Sequence, residues 1–204
     1  MSKVITSVDP TAKYTVSKVL NQNGVVVIPT DTIYGISANY DNPVAIERIY
    51  TIKKRRKEKA LPILIGDLTH LDLVARNIPD NAKKLISAFW PGGLTIILPR
   101  KESLPVNLSE YNSIGIRMPN HPFTLDLLKF CGPLATTSAN ISGGENPTSI
   151  LDVLVQLRYG IDLYINAGKT AGDIASTVVD CTTSEVKILR EGYIPKEKIY
   201  EILQ

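Results

Sequence analysis

The residues of this chain that could do chemistry are mainly cations and hydroxyls. Lys53 to Lys59 reads KKRRKEK, six basic residues and one acidic, in a chain whose formal net charge is +3. The remainder is therefore slightly acidic, and the positive field is concentrated in one place, as a site for a single polyanion requires. The same run also fits a solvated helix end, where the macrodipole favours cations. Four further polar segments fall at expected ends of strands or helices. Pro29–Gly35 supplies the hydroxyls of Thr30 and Thr32 and the carboxylate of Asp31. Ser113 and Arg117 share one strand, followed by Met118-Pro119. Ser138-Ala139-Asn140 precedes Gly143-Gly144 and Pro147-Thr148, and Arg190-Glu191-Gly192 comes last. Taken singly, each also fits a turn or a cap.

Several chemistries are excluded. Gly168-Lys169-Thr170 suggests a phosphate loop, but that pattern needs glycine where Leu163 stands. There is no G-x-G-x-x-G for a dinucleotide and no G-x-S-x-G for a hydrolase. His70 and His121 are the only histidines and offer little for a triad; His121, before a proline, reads as a cap or surface residue. No H-E-x-x-H or Cys/His cluster suggests zinc, and Cys131 and Cys181 match no metal or redox spacing.

Hydrophobic periodicity supplies the elements that must carry these segments. Helices are expected from Thr11 to Asn21, from Pro43 to the basic run, from Pro79-Asp80 through Phe89, from His121-Pro122 to Phe130, from Pro147-Thr148 to Leu157, and after Pro195. Strands are expected at Val25–Ile28, Leu61–Ile65, Leu94–Leu98, Ser113–Arg117, Leu134–Thr137, Leu163–Ile165, Thr177–Val179 and Val186–Leu189. The polar loop between the third and fourth of these is long enough to suggest a functional or mobile role. Several strands follow one another too closely for a helical crossover, so a mixed sheet with helices packed on it is expected.

The length of 204 residues suits one compact domain spanning 1–204. No run approaches the roughly 18 apolar residues of a membrane span. Met1 to Ile5 lacks the features of a secretory signal, and a cytoplasmic protein is expected.

In their order the polar segments carry a further pattern: P-T-D-T-x-Y-G from Pro29, K-x-R from Lys53, W-P-G-x-x-T from Trp90, R-x-P-x-H-P from Arg117, T-S-A-N-x-S-G from Thr137, and Arg190 before Gly192. In this combination, from about Val16 to Gly192, the chain resembles the YrdC-like threonylcarbamoyl-AMP synthases. The resemblance implies an α+β (mixed α/β) fold of YrdC/RibB type, a twisted mixed sheet flanked by helices around a basic concave cavity. It implies the short form, without the extra C-terminal domain of longer members. The implied enzyme is a nucleotidyltransferase, an L-threonylcarbamoyladenylate synthase. It joins L-threonine, bicarbonate and ATP into threonylcarbamoyl-AMP and pyrophosphate, the first step in threonylcarbamoylation of tRNA adenosine 37.

By the same resemblance, Lys53 and Arg55 are catalytic and hold ATP, with Lys59, Ser113, Asn140, Thr148 and Arg190 as further ATP contacts. Thr32, Arg117 and Ser138 are implied to bind L-threonine. No side chain is expected to ligate a metal; Mg2+ would arrive on ATP. Implied partners are a downstream tRNA threonylcarbamoyl transferase complex and, weakly, tRNA itself; no membrane is implied. Two departures stand out: Arg56 replaces a proline common after K-x-R, and Leu64 stands where some relatives have histidine. Lys53 and Arg55 are expected to point inward, with Lys54, Arg56 and Lys57 solvated. The rival from another class is an RNA-binding module using the basic run, which would need neither threonine nor ATP.

Overall fold

The computed structural model describes residues 3–204. Among these residues ten strands form one mixed sheet. In chain order they are β1 (Lys3–Thr6), β2 (Val26–Ile28), β3 (Gly35–Asn39), β4 (Ile63–Leu64), β5 (Leu94–Pro99), β6 (Ser113–Arg117), β7 (Leu134–Ser138), β8 (Leu163–Asn166), β9 (Thr177–Asp180) and β10 (Lys187–Arg190). Their spatial order is β1-β8-β2-β3-β7-β4-β6-β5-β9-β10. Parallel pairs (β1 with β8, β2 with β8, β4 with β6, β5 with β9) mix with antiparallel ones. The expected mixed sheet is thus the observed one.

Among the described residues seven α-helices accompany this sheet: α1 (Ala12–Leu20), α2 (Pro43–Lys53), α3 (Leu71–Val74), α4 (Asp80–Phe89), α5 (Pro122–Cys131), α6 (Ile150–Gln156) and α7 (Lys196–Leu203). Side chains alternate faces along a strand, so each strand can feed two cores. Val27 and Tyr164 join a large core with Ile46 and Ile49 of α2, Leu85 of α4 and Val153 of α6. Their neighbours Val26, Ile28, Leu163 and Ile165 join a smaller core with Val16 of α1 and Leu127 of α5. That half of the sheet is covered on both faces and reads as continuous apolar runs.

The other half is covered on one face only. Leu94, Ile96 and Leu98 of β5 and Ile114 and Ile116 of β6 enter the large core. The alternate positions Thr95, Ile97, Gly115, Arg117 and Val178 face a cleft instead. The bare face of this half-sheet is the floor of the candidate site.

Several elements differ from the sequence reading. β1 and β3 were not expected, nor was the short α3. β4 is two residues long within the expected Leu61–Ile65, and α6 begins at Ile150 with Ser149 as its N-cap in a capping box with Asp152. The long β5–β6 loop is tied down from within. Buried Arg100 donates to the carbonyls of Ser109 at 2.8 Å, Leu104 at 2.5 Å and Pro105 at 3.0 Å. Arg100→Ala removes the donor from the Ser109 and Leu104 carbonyls, while Pro105 keeps the Leu108 amide at 3.1 Å, and should cost about 2–3 kcal/mol. Denaturant unfolding checks this, with limited proteolysis showing new cuts in the loop. A loss under about 0.5 kcal/mol would mean that water satisfies the carbonyls equally well.

Candidate active site

Helix α2 carries the cationic pair to the site. Asn42 caps it by accepting from the Ala45 amide at 3.0 Å, and Pro43 occupies its first turn. Its C-terminus turns through Lys54 in the left-handed conformation (φ 49°, ψ 41°), so the Arg55 amide closes back on the Tyr50 carbonyl at 2.9 Å. Two residues apart in sequence, Lys53 and Arg55 thereby leave the helix end in different directions.

Lys53 is 1% exposed. Its ammonium donates to the Ser138 carbonyl at 2.5 Å, to the Asn140 carbonyl, and to Asn140 Oδ1 at 3.2 Å. Asn140 Oδ1 also accepts from Ser138 Oγ at 2.6 Å, and Asn140 Nδ2 donates to the Gly144 carbonyl at 2.7 Å. Lys53, Ser138 and Asn140 are one hydrogen-bonded unit at the end of β7. Of these three, Ser138 lines the cleft.

Arg55 reaches the cleft itself. Its Nε and one terminal nitrogen donate to the Lys59 and Ala60 carbonyls, each at 2.9 Å. Arg117, from the end of β6, and Arg190, from the end of β10, line the same cleft of about 360 Å³. Burial lowers the pKa of all three guanidiniums, and the charge of Arg190 lowers those of Arg55 and Arg117 further. Arg117 is the one with a carboxylate partner, Asp31 at 2.6 Å. It also donates to Thr32 Oγ1 and to the Gly92 carbonyl, each at 2.9 Å. Arg190 is held by the Ser176 carbonyl at 2.8 and 3.2 Å. Two guanidiniums without acidic partners, in a concave and partly dry space, suit a bound polyanion. Among the described residues that line the cleft, the guanidiniums, hydroxyls and amide can position a ligand and stabilise negative charge.

Of the residues singled out from sequence, Thr30, Thr32, Arg55, Arg117, Ser138 and Arg190 meet at this cleft. Lys53 and Asn140 stand behind Ser138. Lys59 is exposed and approaches the site through its backbone carbonyl. Ser113, at the start of β6, pairs with Pro99, and the Thr148 hydroxyl lies 3.1 Å from Asp152 Oδ2 near the start of α6. Lys54, Arg56 and Lys57 are exposed; Arg56 pairs with Glu58 at 3.2 Å and Lys57 with Glu47 at 3.0 Å. The cleft also holds Thr95, Ser176, Asn146 and Tyr34, which sequence reasoning did not single out. Thr95 and Tyr34 lie inside W-P-G-x-x-T and P-T-D-T-x-Y-G and were findable there; Ser176 and Asn146 carried no signal. Leu64 lines the cleft as an apolar wall. His121 is half-buried at the N-cap of α5, its Nδ1 without a partner, and makes no side-chain cap.

Burial, with Arg55 adding to it, pushes the Lys53 ammonium down to about 7 from 10.5. Between those values the folded chain binds fewer protons than the unfolded one, so this group's contribution to stability rises with pH. Lys53→Met has no such titration. Its stability gap to the wild type, by urea unfolding at pH 7 and 9.5, should move toward the wild type by up to about 1.4 kcal/mol per pH unit. A gap that stays flat would mean that the three oxygens hold the ammonium charged throughout.

Residues 18–192 match the Sua5/YciO/YrdC family, whose description is "Telomere recombination". A putative threonylcarbamoyl-AMP synthase of Methanocaldococcus jannaschii is 40% identical over 178 residues, 87% of this chain and 84% of the relative. The structure of Pyrococcus abyssi Sua5 complexed with L-threonine superposes with a TM-score of 0.94 at 32% identity, covering 99% of this chain and 61% of that one. Escherichia coli YciO superposes with a TM-score of 0.85 at 27% identity, over 95% of this chain and 97% of that one. The chain thus spans about 61% of the Pyrococcus protein but nearly all of the YciO chain. With most of its length matched and its polar motifs gathered at one cleft, the chain belongs to the Sua5/YciO/YrdC family.

Proposed function

We propose that this chain is a threonylcarbamoyl-AMP synthase, a nucleotidyltransferase that joins L-threonine, bicarbonate and ATP. The observation that carries the reading is the convergence of Arg55, Arg117 and Arg190 on one cleft in which only Arg117 has a carboxylate partner. Its similarity to relatives named as threonylcarbamoyl-AMP synthases, and to the Pyrococcus protein solved with L-threonine, supports it.

In this reading the threonine amine and bicarbonate give a carbamate and water. A carbamate oxygen then bonds the α-phosphorus of ATP as the bond from that phosphorus to the bridging oxygen breaks. Pyrophosphate leaves with that electron pair. Such a displacement needs no protein nucleophile; it needs alignment and fixed cations. Arg55 and Arg190 are assigned to the phosphates and Arg117 to the threonine carboxylate, which its two uncommitted N–H groups can take bidentately. Ser138, whose proton goes to Asn140, offers lone pairs to a donor on the substrate. Lys53 and Asn140 act by holding Ser138 in place, and Thr32 by holding Arg117. Lys59, Ser113 and Thr148 would reach the nucleotide only after their side chains turn toward it.

Mg2+ is proposed as the companion of ATP. The cleft-lining side chains are hydroxyls, guanidiniums, an amide and apolar groups, a set that does not fit a protein-held magnesium. The ion would sit on phosphate oxygens. Among the described residues no group of three or more His, Cys, Asp or Glu could hold a metal. None of the described helices is long and apolar enough to cross a membrane. A cytoplasmic site of action, delivery of the product to a tRNA threonylcarbamoyl transferase complex acting on adenosine 37, and a weak contact with tRNA complete the proposal.

Pyrophosphate release, measured with threonine and bicarbonate each withheld in turn, tests the reaction. It should fall to background in both cases, and release that ignores threonine overturns the assignment. Arg55→Ala should lose at least about 100-fold in turnover, the scale of one lost transition-state contact. Lys57→Ala, whose ammonium pairs with Glu47 outside the cleft, should stay within about twofold. Equal losses would mean that the basic run acts as a diffuse patch.

A further inference from the structure

Thr32 is buried in the wall of the cleft, where it holds the Arg117 guanidinium. Its hydroxyl lies 2.9 Å from an Arg117 terminal nitrogen and 3.1 Å from Thr30 Oγ1. Thr30, 4% exposed, lies 2.7 Å from the Ile33 carbonyl. Counting protons restricts these contacts. A hydroxyl has one hydrogen and two lone pairs, a carbonyl only accepts and a guanidinium only donates. The Thr30 hydrogen therefore goes to the Ile33 carbonyl, and Arg117 donates to the Thr32 oxygen. The two lone pairs of Thr30 Oγ1 face the amides of Thr32 and Ile33, each at 3.2 Å, which fixes the turn that carries both hydroxyls.

From this relay of contacts we infer that Thr30 is a positioning residue for amino-acid binding: it fixes the turn that places the Thr32 hydroxyl, which in turn holds one edge of the Arg117 guanidinium. The inference rests on the reading that Arg117 receives the carboxylate of the amino acid. With Gly92, Thr32 and Asp31 each taking one of the five N–H donors, two are left for that carboxylate. Removing the Thr30 hydroxyl takes away the oxygen that holds the amides of Thr32 and Ile33, so the turn loosens, Thr32 shifts and the guanidinium drifts. Bidentate recognition tolerates little drift.

Calorimetric titration with L-threonine and, separately, with ATP tests the inference. Thr30→Val should weaken threonine about tenfold, the scale of one hydrogen bond to a charged group, and leave ATP within twofold; Thr30→Ser should restore threonine binding. In an Arg117→Lys background, Thr30→Val should add nothing, since the effect passes through the guanidinium. Equal losses for both ligands, or additive effects in the double variant, overturn it. If Thr30→Val does not fold, Thr32→Val removes the middle of the relay and should show the same selective loss; unchanged threonine affinity there also overturns it. The Arg117 Nε–H resonance reports on the relay without any ligand. It should be protected from exchange in the wild type and in Thr30→Ser, and lose protection in Thr30→Val; an unaltered signal overturns the relay. A wild type that binds no threonine but shows this pattern overturns the proposed reaction and leaves the relay standing.

Discussion

An ammonium buried to 1% exposure persists only if oxygen atoms replace the water it has lost. For Lys53 those oxygens are two backbone carbonyls and one side-chain amide, all supplied by Ser138 and Asn140. The requirement joins the C-terminus of α2 to the C-terminus of β7. It acts on backbone carbonyls, so it holds the course of the chain as well as one rotamer. Everything that leaves these two ends is placed by it: Ser138 on the cleft wall, the loop closed by the bond from Asn140 to Gly144, and the turn that releases Arg55. The apolar stripe of α2, with Ile46 and Ile49 in the large core, sets the helix on the sheet, and Lys53 locks its end.

The cleft has a second origin in the sheet itself. Where strands are covered on both faces, alternate side chains pack into two cores and leave no concavity. Beyond β4 the cover continues on one face, and the strand period of two turns half of each strand toward open space. Ile96 and Ile116 stabilise the fold, while Thr95, Ile97, Gly115 and Arg117, one residue away, form a binding surface. Gly115 matters here because a Cβ at that position would come within 3.2 Å of the Thr95 methyl and fill the floor. Three guanidiniums around this floor repel one another. Asp31 relieves Arg117, whereas Arg55 is met by carbonyls and Arg190 by the carbonyl and hydroxyl of Ser176, neutral groups that leave charge for a ligand to neutralise.

Where local chemistry decides an element, the sequence was legible. Pro79-Asp80 and Phe89-Trp90-Pro91 bound α4, and Ser113 to Arg117 is a strand with the expected limits. Elements that exist through distant partners were not visible. Gly35-Ile-Ser-Ala-Asn is poor in strand-forming residues and becomes β3 because β2 and β7 both pair with it. β1 is four residues with one buried side chain, held by β8 from the other end of the chain. The site divides along the same line. Arg55, Arg117, Ser138 and Arg190 sit at ends of regular elements, where side chains project predictably, and all reach the cleft. Ser176 and Asn146 come from loops whose paths depend on tertiary contacts, such as the 3.0 Å bond from Asn146 to the Asp173 carbonyl. Arg100 could not have been distinguished from a surface cation, because the carbonyls that bury it belong to the loop it folds.

The departure at Arg56 shows how much of the local geometry is carried by side chains rather than by φ restriction. A proline after K-x-R would fix one dihedral where the chain leaves Arg55. Here the reversal is already complete at Lys54, in the left-handed region, and is closed by the Arg55 amide on Tyr50. The loop beyond returns to Arg55, whose guanidinium binds the carbonyls of Lys59 and Ala60, while the Lys59 amide closes on the Arg56 carbonyl at 3.1 Å. The Arg56 side chain points to solvent with Glu58 and carries no part of this. Arg55 thus organises the segment that a proline would stiffen, and it spends Nε and part of one terminal nitrogen to do so. The donors left over belong to its terminal nitrogens, the edge best shaped for a phosphate. Replacing the rigid residue with a charged one therefore leaves the working edge of Arg55 available, provided its inner edge stays bonded to the loop.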